Sequence, residues 1–147
     1  MTAPPQISPE SLCTCGAVRR AARQVTQLYD RHLAPAGLRI TQHAILARLS
    51  RQGPVAINEL ARQMSMDRTS LGRTVQPLQR EGLVALTPGA DRRVRELALT
   101  EAGRARLKAA APLWRAAQDA FDTAYGAEAA AALRATMGQV VATLGAA

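Results

Sequence analysis

Aromatic residues are scarce in this 147-residue chain: one Trp, two Tyr and one Phe, 3% in all. Any core must therefore be built from Leu, Val, Ile and Ala. Lysine is nearly missing as well; eighteen of the nineteen basic residues are Arg and only Lys108 is Lys. Coding in a GC-rich genome explains that ratio and the abundant Ala, so the position of the charge says more than its identity. Two cysteines are too few for a disulfide scaffold in a chain this long. No apolar run approaches the roughly 18 residues of a membrane span. The N-terminus has no basic start followed by an apolar stretch, so a cytoplasmic protein is expected. Catalytic signatures are missing too: no phosphate-cradling Gly loop, no Gly-x-Ser-x-Gly and no His-Glu-x-x-His. With two His and scattered carboxylates, an enzyme is not expected, and no cofactor is implied.

What is present is enough apolar content, 48%, for one domain with its own core. A net charge of +8 calls for a polyanionic partner. The charge is uneven. Residues 39–95 hold ten Arg against four acidic residues, whereas the rest of the chain holds nine basic against seven acidic. The middle of the chain is the expected polyanion-binding part.

Residues 1–10, with three Pro, read as a disordered arm. From Ser11 to about Leu33, Leu12, Cys15, Val18, Ala22, Val25, Tyr29 and Leu33 recur every three or four residues, which predicts an amphipathic helix. Pro35-Ala36-Gly37 ends it. A second helix, with Thr41 as its expected N-cap, carries Ala44, Ile45 and Leu49 and closes at Gln52-Gly53-Pro54. A short helix over Ile57–Met64, a turn at Ser65-Met66 and a further helix from Asp67 follow, the last with Leu71, Val75 and Leu78 on one face. Pro77 removes a hydrogen bond inside that helix, so a kink or an early end is expected there. Two strand candidates, Leu83–Thr87 and Val94–Leu99, flank a basic turn. Thr100-Glu101 starts a long helix with a cap and an early acid. Tyr125-Gly126 breaks it, and a last helix places Leu133, Met137, Val140, Val141 and Leu144 on one face. The fold class expected is mainly α with a small β-hairpin wing.

A support helix, a tight turn and a second helix with a polar, basic N-terminal half form a helix-turn-helix. Here Leu71 and Val75 would anchor the second helix, leaving Arg68, Thr69, Ser70, Arg73 and Thr74 toward a major groove. Arg matches guanine N7 and O6, and Thr meets bases or phosphates. Such a face is also what a plain solvated helix shows. The hairpin adds weight. Arg93 at its tip suits a narrow minor groove, Arg92 sits beside it, and Arg95 lies lower on the wing toward phosphate. Asp91 is expected to orient an arginine or to hold the turn through its side chain.

Four stretches resemble the multiple antibiotic resistance regulator (MarR) family of winged-helix transcription factors: Asn58-Glu59-Leu60-Ala61, Asp67-Arg68-Thr69-Ser70-Leu71, Leu78-x-x-x-Gly82-Leu83-Val84, and Asp91-Arg92-Arg93 with Leu99-Thr100-x-x-Gly103. The resemblance covers about residues 11–145. It implies a homodimer with intertwined terminal helices, bound to a palindromic double-stranded operator, usually as a repressor released by a ligand or an oxidant. It makes Asp67–Thr74 the recognition helix and Arg93 the wing-tip arginine. The expected division is a helical dimerisation region (11–35 and 101–147) around a winged helix-turn-helix domain (36–100). Val55-Ala56 stands where the family usually has a Ser or Thr cap. The apolar faces of the terminal helices also point to pairing of two copies, with half-sites about 10 bp apart.

Three switches are readable. Cys13 and Cys15 stand at a helix start near Arg19 and Arg20, a setting that favours thiol oxidation; as small hydrophobes they would merely pack. The resemblance adds that one peroxide-sensing branch has a Cys near this point and a Tyr like Tyr29, but Gln42-His43 replaces that branch's second aromatic. Tyr29, His43 and Trp114 are candidates to line a small-molecule effector pocket, or simply belong to the core. Cys13, Cys15, His32 and His43 do not have a strong zinc spacing, so no metal site is assigned, though a metal-responsive regulator is a remaining alternative. A nonspecific architectural DNA-binding protein is another, recognisable by steep salt dependence without sequence preference.

Overall fold

The computed structural model describes residues 12–145. The arm expected over 1–10, and Ser11, lie outside the described residues. Helix α1 (Thr14–Leu33) is capped by Cys13, whose Sγ accepts from the Gly16 N–H at 3.4 Å. A short 3-10 turn (Ala34–Ala36) is closed by Gly37 at φ 69°, a left-handed value suited to glycine.

Helix α2 (Ile40–Gln52) is capped at Arg39, two residues before the Thr41 cap read from the sequence. Its free donors are met differently. The Arg39 N–H donates to Gln42 Oε1 at 3.0 Å, and the Ile40 N–H donates to Asp30 Oδ1 of α1 at 2.8 Å. An acid supplied from another helix leaves no local capping signature.

Strand β1 (Val55–Ala56) leads directly into α3 (Ile57–Gln63). Helix α4 (Arg68–Arg80) runs through Pro77 rather than ending at it. Its end explains the Leu78-x-x-x-Gly82-Leu83 motif. Leu83 N–H donates to Leu78 O at 2.9 Å, Gly82 N–H donates to Gln79 O at 3.0 Å, and Gly82 sits at φ 70°. This is a Schellman closure, with Leu78 and Leu83 buried together.

Strands β2 (Val84–Pro88) and β3 (Arg95–Leu99) form the wing. The sheet has three antiparallel strands in the order β1-β3-β2, with Leu97 opposite both Val55 and Leu86. The sequence pattern shows only the hairpin, because two residues are too few to reveal alternation. Helix α5 (Glu101–Tyr125) contains Pro112, and α6 (Ala127–Gly145) follows Gly126.

The start of α5 is locked by the other half of the motif. Thr100 Oγ1 accepts from Gly103 N–H at 3.0 Å and donates to Gly82 O at 2.6 Å. A Cβ on Gly103 would stand 2.1 Å from the Leu83 carbonyl oxygen. Only glycine lets α5 come this close to the end of α4.

The core unites these elements: Ile45, Leu46, Leu60, Leu71, Leu78 and Leu97 are fully buried. Each such side chain contributes about 1.5–3 kcal/mol relative to exposure. Leu107, Leu113 and Trp114 of α5 pack on the outside of this core, so the long helix is docked on the winged-helix block through its first half. No described helix is long and apolar enough to cross a membrane.

Candidate nucleic-acid interface

Helix α3 reaches α4 through a turn at Ser65, held at φ 52°, with Met66 N–H donating to Ala61 O at 2.9 Å. Ala56 occupies the cap of α3 and offers no side-chain hydrogen bond. Asp67 caps α4: Oδ1 accepts from Ser70 N–H at 2.8 Å and Oδ2 from Ser70 Oγ–H at 2.6 Å. The Ser70 hydroxyl bond, then its backbone N–H, hold the Asp67 carboxyl below its ordinary value.

Leu71, Val75 and Leu78 turn into the core, and Arg68, Thr69 and Arg73 stand exposed on the other face. The Thr74 hydroxyl donates to Ser70 O at 3.1 Å, leaving its oxygen free to accept. Ser70 therefore spends its donor on the cap, whereas the arginines spend nothing.

At the wing, Asp91 Oδ1 accepts from the Arg93 N–H at 3.0 Å. Val94 N–H donates to Asp91 O, and Gly89 N–H donates to Val94 O, both at 2.9 Å. The acid thus folds the tip through the backbone, and the neighbouring guanidinium groups stay outward. Arg92, Arg93 and Arg95 are all exposed, with Arg95 opposite Pro88 at the end of the ladder.

Most of the eighteen arginines, those of α4 and the wing included, lack an ion-pair partner among the described residues. Among the described residues, ion pairs engage Arg62, Arg104, Arg106 and Arg134. Arg62 holds Glu59 through two bonds, and this keeps the Glu59 carboxyl down at about 2. Arg68, Arg73, Arg92, Arg93 and Arg95 have no carboxylate partner among the described residues. Helix α4 and the wing together present exposed arginines without carboxylate partners among the described residues, a face suited to a duplex.

The remaining candidates fall in separate places. Cys13 and Cys15 are exposed, free thiols at the start of α1. His43 of α2 is buried and stacks on Trp114 of α5, ring centroids 6.1 Å apart and nearly parallel. Burial, and then the charge of Arg51, push the His43 pKa down. Tyr29 is elsewhere: its hydroxyl donates to Gln118 Oε1, and burial, then Asp122, push its pKa up. It lies on an apolar cavity of about 540 Å³ between α1, α5 and α6, with Val18, Val25, Leu133 and Met137 on the walls. His43 and Trp114 do not line that cavity. Asp122 and Arg134 stand near Tyr29, 3.9 Å apart. Gln118, Asp122 and Arg134 were not singled out from the sequence, where nothing marks them: Gln118 meets Tyr29 across 89 residues. His32 Nδ1 is bonded to Leu28 O at 2.8 Å. No group of three or more His, Cys, Asp or Glu among the described residues is placed to hold a metal.

A capped recognition helix beside a basic wing defines a winged-helix DNA-binding regulator. The family model described as "MarR family" matches residues 36–94, the helix-turn-helix with the first strand and the tip of the wing. The transcriptional regulator MosR of M. tuberculosis is 36% identical, with 89% of this chain and 96% of that chain covered and a TM-score of 0.76. MosR solved in complex with DNA is 39% identical over 90% of this chain and 98% of that one, again at a TM-score of 0.76. CouR from Rhodococcus jostii RHA1, solved with p-coumaroyl-CoA, shares the fold at 23% identity, covering 90% and 94% of the two chains with a TM-score of 0.74. No curated protein sequence matches the chain. The chain belongs to the MarR family of transcriptional regulators.

Proposed function

We propose that this protein is a cytoplasmic homodimeric repressor that binds a palindromic operator in double-stranded DNA. The observation that carries the reading is the set of exposed, unpaired arginines on α4 and the wing, beside a helix cap that orders the recognition helix. The same fold solved on DNA in a relative of 39% identity supports it. In this reading Arg68, Thr69, Arg73 and Thr74 meet the major groove, with Ser70 beside them on the same face. Arg92 and Arg93 reach the minor groove, and Arg95 meets phosphate.

Dimerisation rests on surplus apolar surface. Val18 on α1, on the wall of the cavity between α1, α5 and α6, is exposed, as are Val140, Val141 and Leu144 further along α6. A second copy laid on these helices covers them, and residues 11–35 with 101–147 become the dimerisation region around a DNA-binding domain over 36–100.

Release has two candidate triggers. A small ligand would enter between the helices near Tyr29, or loosen the His43–Trp114 stack that joins α2 to α5. An oxidant would act on the exposed Cys13 and Cys15. A hydroperoxide transfers one oxygen to the sulfur, giving a sulfenic acid and leaving as the alcohol or water. At Cys13 that change strikes the sulfur that caps α1.

Fluorescence anisotropy tests the proposal, using the full chain with its own upstream DNA and a scrambled duplex, with and without mild peroxide. Tight, selective binding is expected. Loss of binding on oxidation that is abolished in Cys15→Ser assigns the thiol trigger; selective binding indifferent to peroxide assigns a ligand. Equal affinity for both duplexes would overturn the operator-specific reading in favour of an architectural DNA-binding protein.

A further inference from the structure

The unpaired cations do not stop at α4 and the wing. A depression of about 350 Å³ lies between α1, α2 and α4, and Asp30, Arg39, Thr41, Arg73 and Thr74 stand on its rim and walls. It is continuous with the recognition helix, since Arg73 and Thr74 belong to both. We propose that Arg39 and Thr41, at the start of α2, form with Arg73 a clamp for a DNA phosphate on the wall of the major groove entered by α4. This rests on the DNA-binding reading above and extends the contact surface to a second element.

Arg39 is unusual where it stands. Cap positions favour Ser, Thr, Asp or Asn, and the first turn of a helix favours acids. Helix α2 has Arg39 at the cap and no acid in its first turn. The side chain therefore does not serve the helix. The backbone beneath it is nevertheless tightly held: Arg39 N–H is bonded to Gln42 Oε1, Arg39 O accepts from His43 N–H at 2.9 Å, and the next N–H is bonded to Asp30. Asp30 has one oxygen committed to that bond at 2.8 Å, and it forms no ion pair with Arg39 or Arg73 among the described residues. A fixed backbone with a free guanidinium is suited to a backbone contact, which positions a protein on the duplex without reading sequence.

Position along α4 agrees. Arg68 and Thr69 open the helix, and Arg73 follows five residues after Arg68, about 7.5 Å further along the axis. With the N-terminal turn at the floor of a groove about 8.5 Å deep, the level of Arg73 is the groove's edge, where the phosphates run. Elements packed beside that level meet the backbone rather than the bases.

The experiment is a salt series by fluorescence anisotropy with the full chain, wild type against Arg39→Ala, on the operator and the scrambled duplex. Arg39→Ala is expected to weaken binding to both duplexes by the same factor. The slope of log affinity against log salt becomes shallower by about 0.9, one phosphate contact. Thr41→Val shifts affinity less, in the same direction and without changing the slope. Arg39→Lys keeps the wild-type slope, which separates loss of charge from disturbance of the helix start. Arg31→Ala, an exposed arginine on the last turn of α1, leaves the slope unchanged. An unaltered slope in Arg39→Ala, or a loss confined to the operator, would overturn the clamp while leaving selective wild-type binding intact. A wild type that binds neither duplex would overturn the clamp together with the DNA-binding reading.

Discussion

The winged-helix block and the terminal helices use similar residues to opposite ends. Eight of the nine largest fully buried side chains lie between Ile45 and Leu97. Helix α6 is the contrast: its one buried residue is Ala130, whereas Val140, Val141 and Leu144 stay exposed. Both regions are rich in Leu, Val and Ala. One closes its apolar surface on itself and turns its charge outward. The other cannot, because α1, α5 and α6 diverge around a cavity of about 540 Å³ that small Ala side chains leave open. Exposed apolar surface of this kind marks an interaction site. The difference teaches that the winged-helix block buries its apolar surface within this chain, with Leu33 of α1 and Ala110 of α5 joining its core, whereas α6 leaves much of its own uncovered.

The largest effect should come from breaking the second region. Leu133→Asp places a charge on the cavity wall, which a dimer would have to bury. The variant is expected to sediment as a monomer. Losing the second half-site should cost about 10²–10⁴-fold in affinity for a palindrome, whereas affinity for a single half-site is kept. A variant that remains dimeric would show that the cavity lies outside the dimer contact.

Next comes a paired truncation. Leu60→Ala empties a fully buried site in the winged-helix core and should destabilise the protein by about 2–5 kcal/mol, read as a lower midpoint in urea. Val141→Ala removes a side chain that is 56% exposed and should leave the denaturation midpoint of a dilute, dissociated sample within about 0.5 kcal/mol of wild type. At high protein concentration the Val141→Ala midpoint should fall behind wild type, because oligomerisation stabilises by mass action. Equal shifts at both concentrations would remove the distinction between the two regions.

A smaller effect divides the DNA-binding block itself. Arg68→Ala, at the opening of α4, should reduce discrimination between operator and scrambled DNA by about 1–3 kcal/mol if its guanidinium reaches a base edge. Arg93→Ala should weaken both duplexes alike and flatten the salt slope by about one unit. Identical behaviour of the two variants would assign helix and wing the same role, contrary to the geometry that separates them.

The two regions were also unequally legible in the sequence. The winged-helix motifs carried their own physical reasons. Asp67 caps locally, Asp91 bonds a backbone two residues on, and Gly82 and Gly103 are required by a left-handed turn and a close approach. Such constraints act between near neighbours in sequence, so a reader of residues finds them. What escaped was assembled across distance. Strand β1 exists because Leu97 recruits Val55. The cap of α2 comes from Asp30, ten residues away, rather than from Thr41. The sequence offers Tyr29, His43 and Trp114 together as candidates to line one effector pocket. The fold gives Tyr29 to Gln118 and the cavity, and it gives the other two to each other. Helical periodicity states which face is apolar, not which helix will meet it.

The smallest effect sharpens the comparison at one residue, the cap that orders the recognition helix. Asp67 has its carboxyl held below its ordinary 3.8, first by the Ser70 hydroxyl and then by the Ser70 N–H. A carboxyl depressed in the folded state adds stability that is fully present above the unfolded value and is lost as pH falls through the folded one. Asparagine also caps a helix but carries no charge. The melting temperature of Asp67→Asn should therefore lie slightly below wild type at neutral pH, and the gap should close as pH drops below about 4. Because Asp67 is fully exposed, water screens much of the advantage and the gap is small. DNA binding near neutral pH should respond in the opposite sense to stability, since Asp67→Asn removes a negative charge from the interface beside Arg68. A stability gap that persists unchanged into acid would show that the cap works through its shape alone and owes nothing to its charge.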